Sequence, residues 1–171
     1  SGSGKSTLAA ALAPLLGRSP GALHLRSDLE RKAMAGVGPE QRLPPESYTP
    51  ESSHAVYARV MEKAEAALLA GHSVVVDAVF SKPAERAELE VMCRRLGVPM
   101  DGVWLHAPGD ILKARVESRR GDASDATPEV ISRQLGSDIG HLGWRHIDAS
   151  HGPADTLAAA RKILTLTNGT S

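Results

Sequence analysis

The first seven residues, Ser1-Gly2-Ser3-Gly4-Lys5-Ser6-Thr7, run directly into the apolar stretch LAAALAPLL, and no other feature constrains the fold as much. Gly4-Lys5-Ser6 forms the ending of the pattern Gly, four residues, Gly-Lys-Ser/Thr. In that pattern glycines let backbone N–H groups turn inward around phosphate oxygens, and the helix that follows presents its positive end to them. Lys5 is placed to reach the β- and γ-phosphates of a nucleotide and the Ser6 hydroxyl to ligate magnesium. Counting back from Gly4, the first glycine of the pattern falls two residues ahead of Ser1, so the chain is expected to be a fragment that begins inside the loop. A Gly/Ser linker would also read SGSG, but linkers are rarely followed at once by Lys-Ser-Thr and an apolar helix.

A chain of 171 residues suits one compact domain, 1–171. Lys+Arg and Asp+Glu both number 20, so no global basic field exists to hold a nucleic acid, and 3% aromatic residues leave few surfaces on which bases could stack. Nucleic acid is therefore a disfavoured partner. No apolar run approaches the ~18 residues of a membrane span. The single cysteine, Cys93, lies in the helical pattern RAELEVMCRRL and reads as a small buried apolar residue in a reduced, cytoplasmic setting.

Helical and strand-like stretches alternate, the pattern of a parallel sheet covered by helices. Helices are expected from Lys5 to Leu16, from Pro50 behind a Thr49 cap to Ala70, from Pro83 to near Leu96, from Pro108 through Arg115 and Arg119, behind Thr127-Pro128, and from Pro153 to about Leu166. Strands are expected in ALHLRSD (22–28), HSVVVDA, GVWLHA and WRHIDAS. GVGPEQRLPP and GDASDAT read as loops, and the tail TNGTS as frayed. The strand that feeds a phosphate loop sits inside the sheet, so the chain is expected to keep about four strands of a three-layer α/β sheet that needs five.

In doubly wound sheets the ligand site lies beyond the C-terminal ends of the strands. Asp77 ends HSVVVDA, where an acid closing a buried strand suits a second magnesium-organising position, although helix caps and turns use such acids too. Asp28 closes ALHLRSD with Arg31 one helical turn on. The pair suits an acceptor base with a substrate-holding arginine, or an N-cap with a surface ion pair. Arg26 is adjacent, its direction open. Arg115 and Arg119 share a helix face before GDASDAT, either as lid arginines over a phosphoryl group or as a solvated face. The lid reading expects the segment from Arg115 to Thr127 to be loose without nucleotide. The histidines show no metal-binding spacing.

Together SGSGKST, SDLER, VVVDA and RVESRRGDASDAT resemble the small phosphate-loop kinases, among them gluconate kinase, chloramphenicol phosphotransferase, zeta toxins and polynucleotide 5′-kinases. YTPESSHAVY and DASDAT look like a predicted ATP-dependent kinase group often fused behind an aminoglycoside-phosphotransferase-like domain. The resemblance covers nearly the whole chain. It implies a nucleotide-kinase-like sheet in which Val74–Asp77 and Val103–Ala107 flank the gap, ATP and Mg2+ as cofactors, and a covalent upstream domain as a partner. It also implies roles: Ser1, Gly2, Ser3, Gly4, Lys5, Ser6 and Thr7, with Arg115 and Arg119, hold ATP, and Ser6 and Asp77 hold the metal. Asp28 is the base, Arg31 binds substrate, and Lys5 and Arg119 support catalysis. Two readings follow. One is a kinase moving the γ-phosphate of ATP to a hydroxyl of a small-molecule acceptor. The other is a nucleotide-binding regulatory domain that phosphorylates nothing. Asp28 and the lid arginines favour the kinase, since a regulatory domain needs no acceptor base.

Overall fold

The structure, a computed structural model, describes residues 1–118 and 122–165. Helix α1 (Lys5–Leu12) starts on the loop itself, and Pro14 lies in the single 3-10 turn, Ala13–Leu15, that closes it. Strand β1 (Leu23–Arg26) passes without a gap into α2 (Ser27–Met34), so the strand expected over 22–28 loses Ala22 at its start and Ser27 and Asp28 at its end. The reason is local: Asp28 and Glu30 occupy the first turn of α2, where carboxylates complement the positive end of a helix.

The long helix α3 (Pro50–Leu69) begins where Thr49 accepts a hydrogen bond from the Ser52 amide, with Pro50 at its first position. Strand β2 (Val74–Asp77), helix α4 (Pro83–Leu96), strand β3 (Val103–His106) and helix α5 (Gly109–Ser118) follow in alternation. Thr127 caps α6 (Pro128–Leu135), and β4 (Arg145–Asp148) with α7 (Pro153–Thr165) completes the order.

All pairing is parallel. β1 pairs with β2 so that Arg26 faces Asp77, and β3 pairs with β4 so that His106 faces Asp148. α3 and α4 cover one side through Val60, Ala64, Leu89 and Met92, packed with Leu25 and Phe80. α1 and α7 cover the other through Leu8, Leu12 and Ala160, packed with Ile147. α5 and α6 form a third, smaller cluster from Leu112, Val116 and Ile131. Cys93 is free and buried in the first cluster, and burial pushes its thiol up. This three-layer arrangement is the expected α/β class. Among the described residues no helix is long and apolar enough to cross a membrane.

Among the described residues the two strand pairs do not join: β2 bonds only to β1 and β3 only to β4. A cavity of about 710 Å³ separates them, lined by residues 74–78 and 103–107 and running up to Ser1, Ser3 and Lys5. The sequence reading places a gap between the same two strands. Unpaired strand edges in an apolar setting are costly and recruit other extended segments. A chain carrying about ten further residues ahead of Ser1, the length of a strand, is therefore expected to melt at a higher temperature than the 171-residue chain. Equal melting temperatures by calorimetry would show that the open edges cost nothing.

Candidate active site

Gly2 and Gly4 both adopt left-handed backbone, with φ of 76° and 84°, a conformation glycine takes without a Cβ penalty. A Cβ on Gly2 would lie 2.7 Å from the carbonyl oxygen of Leu112, so the loop also packs too closely on α5 for any larger residue. Gly4 stands at the N-cap of α1, and its carbonyl accepts the Leu8 amide at 2.9 Å. Lys5 is thus the first helical residue, aimed across the sheet end.

Its target is Asp77. The carboxylate is 2% exposed and sits with its Oδ1 4.0 Å from Lys5 Nζ, and with its Oδ2 3.6 Å from both His24 Nε2 and Arg26 Nε. These separations are longer than hydrogen bonds. Asp77 Oδ1, His24 Nε2 and Arg26 Nε are all buried and lack hydrogen-bond partners. Burial pushes the Asp77 carboxyl up, but His24, Lys5 and Ser6 around it outweigh burial and hold it below the ordinary carboxylate value. Three residues on, Phe80 takes a left-handed φ of 49°, a strained conformation for an aromatic residue. It is pinned there: its amide donates to Tyr57 Oη at 2.9 Å and its carbonyl accepts from the buried Arg86 at 2.7 Å.

On the other side of β1, Asp28 lies in the first turn of α2, close enough that its charge raises the Tyr48 and Tyr57 hydroxyls, for both of which burial is the larger cause. Arg31 is one turn on, and its guanidinium is engaged by protein groups. It donates to the Ser47 carbonyl at 3.0 Å, to Ser52 Oγ at 3.1 Å and to Ser53 Oγ at 3.2 Å, and it stacks 4.7 Å from the centre of the Tyr48 ring. Arg31 therefore braces the segment between α2 and α3.

The described part of the segment expected to be a loose lid is tied down. Asp122 accepts from Arg26 at 2.8 Å, and Ala123 is buried. Asp125 pairs with the buried Lys32 at 2.9 Å and accepts from the Leu43 amide at 3.0 Å and the Tyr48 hydroxyl at 2.6 Å. Two acids of a segment that reads as a loop thus pair with Arg26 on β1 and the buried Lys32 on α2. Arg119, the lid arginine expected to act on the transferred phosphoryl, lies outside the described residues. Arg115 is not aimed at the loop; its guanidinium donates to the carbonyls of Ala149, Ser150 and His151, behind β4.

The structure thus brings together Lys5, Ser6 and Asp77 on one side, and Asp28 with Arg31 on the other. It adds His24 and Arg26, which the sequence reading did not place. A signal for them existed: residues i and i+2 of a strand share a face, and Leu25 between them is buried on the opposite one. Asp122, Asp125 and Lys32 carried no such local signal.

Residues 1–137 match the AAA domain family. The chain belongs to that family. Within it, this AAA-domain chain has the fold of the small P-loop kinases. It is similar to a gluconokinase from Sinorhizobium meliloti at 20% identity and a TM-score of 0.65, covering 100% of this chain and 93% of that one. It is also similar to a sugar kinase from Janibacter sp. at 22% identity and a TM-score of 0.62, covering 96% and 90%. Uncharacterized proteins of Mycobacterium bovis and Mycobacterium tuberculosis are 33% identical over 151 residues, which is 82% of this AAA-domain chain and 29% of theirs. The chain spans less than a third of the length of those relatives.

The depressed Asp77 carboxyl has a consequence for stability. Since the folded value lies below the ordinary 3.8, the charge stabilises the fold above that value, and this stabilisation is lost as pH falls through the lower folded value. Asp77→Asn is expected to lower the denaturation midpoint at about pH 7, and the difference from the natural chain should shrink toward about pH 3. Urea titrations at both pH values check this; a gap of constant size would mean that the charge contributes nothing.

Proposed function

We propose that the chain is an ATP-dependent phosphotransferase that moves the γ-phosphate of ATP to a hydroxyl of a small-molecule acceptor. One observation carries this reading: Lys5, Ser6 and Asp77 meet at the end of β2, and Asp28 lies in the first turn of α2 just past the end of the paired strand β1, near enough to Tyr48 and Tyr57 for its charge to act on both. The printed names of similar structures, a gluconokinase and a sugar kinase, support the reading as well.

The loop amides at Gly2 and Gly4 and the start of α1 suit the triphosphate, with Ser1, Ser3 and Thr7 completing the stretch that lines it. Lys5 would carry a positive charge to the β- and γ-phosphates. Ser6 and Asp77 fit a magnesium ion, since a buried carboxylate oxygen without a hydrogen-bond partner stands beside the Ser6 hydroxyl. Bound there, magnesium would neutralise charge on the phosphate oxygens. Asp28 would accept the proton of the acceptor hydroxyl as its oxygen bonds to the γ-phosphorus and the bond to ADP breaks. Arg26, between Asp77 and Asp122, supplies a cation beside the transferred group. Arg31 acts on the acceptor side by holding Ser47 and Tyr48 in place.

Two outcomes test the assignment. Lys5→Ala is expected to weaken ATP binding in titration calorimetry, and unchanged affinity would remove the loop from the nucleotide site. Asp28→Asn keeps the shape but not the proton affinity, so acceptor phosphorylation should fall by ~10²- to 10⁴-fold while ATP affinity persists. Normal turnover in that variant would make Asp28 a helix-start residue and remove it as the acceptor base.

A further inference from the structure

Residues 41–48 cannot hold themselves. The segment reads Gln-Arg-Leu-Pro-Pro-Glu-Ser-Tyr, and its two prolines donate no backbone N–H. Its own regular structure is one 3-10 turn, Pro45–Tyr48. Its position depends on side chains from elsewhere. Lys32 Nζ donates to the Gln41 carbonyl at 2.5 Å, and Arg31 donates to the Ser47 carbonyl at 3.0 Å. The Leu43 amide and the Tyr48 hydroxyl both donate to Asp125 Oδ2, while Asp125 Oδ1 takes Lys32. One carboxylate therefore joins three parts of the chain: α2, the 41–48 segment and the approach to α6.

The ion pair at the centre is buried on both sides, with side chains 2% exposed for Lys32 and 8% for Asp125. Burying two charges costs desolvation that the attraction between them barely offsets, so apolar residues of similar volume could hold the same space at no loss of stability. What apolar residues could not do is accept the Leu43 amide and the Tyr48 hydroxyl in fixed directions. Tyr48 in turn is the face on which Arg31 stacks, one turn from Asp28.

We propose that Asp125 is a positioning residue for the acceptor pocket: it fastens residues 41–48 against α2, so that Tyr48 and Arg31 present one fixed wall opposite Asp28. The proposal rests on the acceptor-side reading of Asp28 given above. Asp125 touches no reacting atom in it. Its effect passes through Tyr48 and Arg31, and it therefore falls on acceptor fit and leaves nucleotide binding alone.

The test uses the full chain, the single variant Asp125→Asn and the double variant Lys32→Met with Asp125→Leu. Amide exchange is followed without nucleotide, and affinity is measured for a non-hydrolysable ATP analogue. In Asp125→Asn, exchange over 41–48 is expected to rise ~10-fold or more while α4 and the analogue affinity stay as they were. The double variant separates position from stability. It should melt closer to the natural chain than Asp125→Asn does, since no buried charge is left unpaired, but leave 41–48 exchanging fast, because the acceptor for Leu43 and Tyr48 is gone. Protection of 41–48 that survives in the single variant, or that returns with stability in the double one, overturns the proposal. With ATP and a panel of polyols and sugar acids, Asp125→Asn should raise acceptor KM ~10-fold and change kcat by less than ~3-fold. A fall in kcat with unchanged KM would also overturn it. If the natural chain phosphorylates no member of the panel, the kinase reading fails and the exchange result alone decides the role of Asp125.

Discussion

A carboxylate that is 2% exposed cannot stay charged unless its surroundings answer it, and Asp77 is answered from three directions. Lys5 comes from the phosphate loop, and His24 and Arg26 come from the neighbouring strand. The parallel register that sets Arg26 opposite Asp77 makes this possible, because it brings both strand ends level with the start of α1. The loop, β1 and β2 are thereby fixed relative to one another by a single charge. The same charge keeps Lys5 directed across the sheet end, where a bound phosphate would meet it.

Around that centre, arginines hold the irregular segments. Arg31 takes the Ser47 carbonyl, Arg86 takes those of Phe80, Ile139 and His141, and Arg115 takes those of Ala149, Ser150 and His151. Each guanidinium offers several donors in a rigid fork, which suits carbonyls that point in different directions from a loop without its own ladder. These irregular segments are therefore held by long side chains reaching from helices.

Acidic residues play the complementary part. Asp122 and Asp125 stand three apart in a segment of small residues that has no core of its own, and they dock onto Arg26 and Lys32. Docking gives the segment an address that its composition lacks. It also ties β1 and α2 to one stretch of chain, since Arg26 ends β1 and Lys32 lies in α2.

What the sequence determined by itself was local. The loop pattern, the caps at Thr49 and Thr127, the prolines at helix starts and the valine run of β2 act over a few residues, and each marks the element it names. The place of the gap between β2 and β3 came from the resemblance to nucleotide-kinase-like sheets and not from any local pattern. Only the tertiary structure decided where the charges go. Arg26 meets Asp122 across 96 positions of sequence, and Lys32 meets Asp125 across 93. No periodicity reports a contact of that span, so the partners of Asp122 and Asp125 were not legible in DASDAT. An arginine or aspartate has the same letter whether it faces water or a buried partner. Its partner is chosen when the sheet closes and brings the strand ends together.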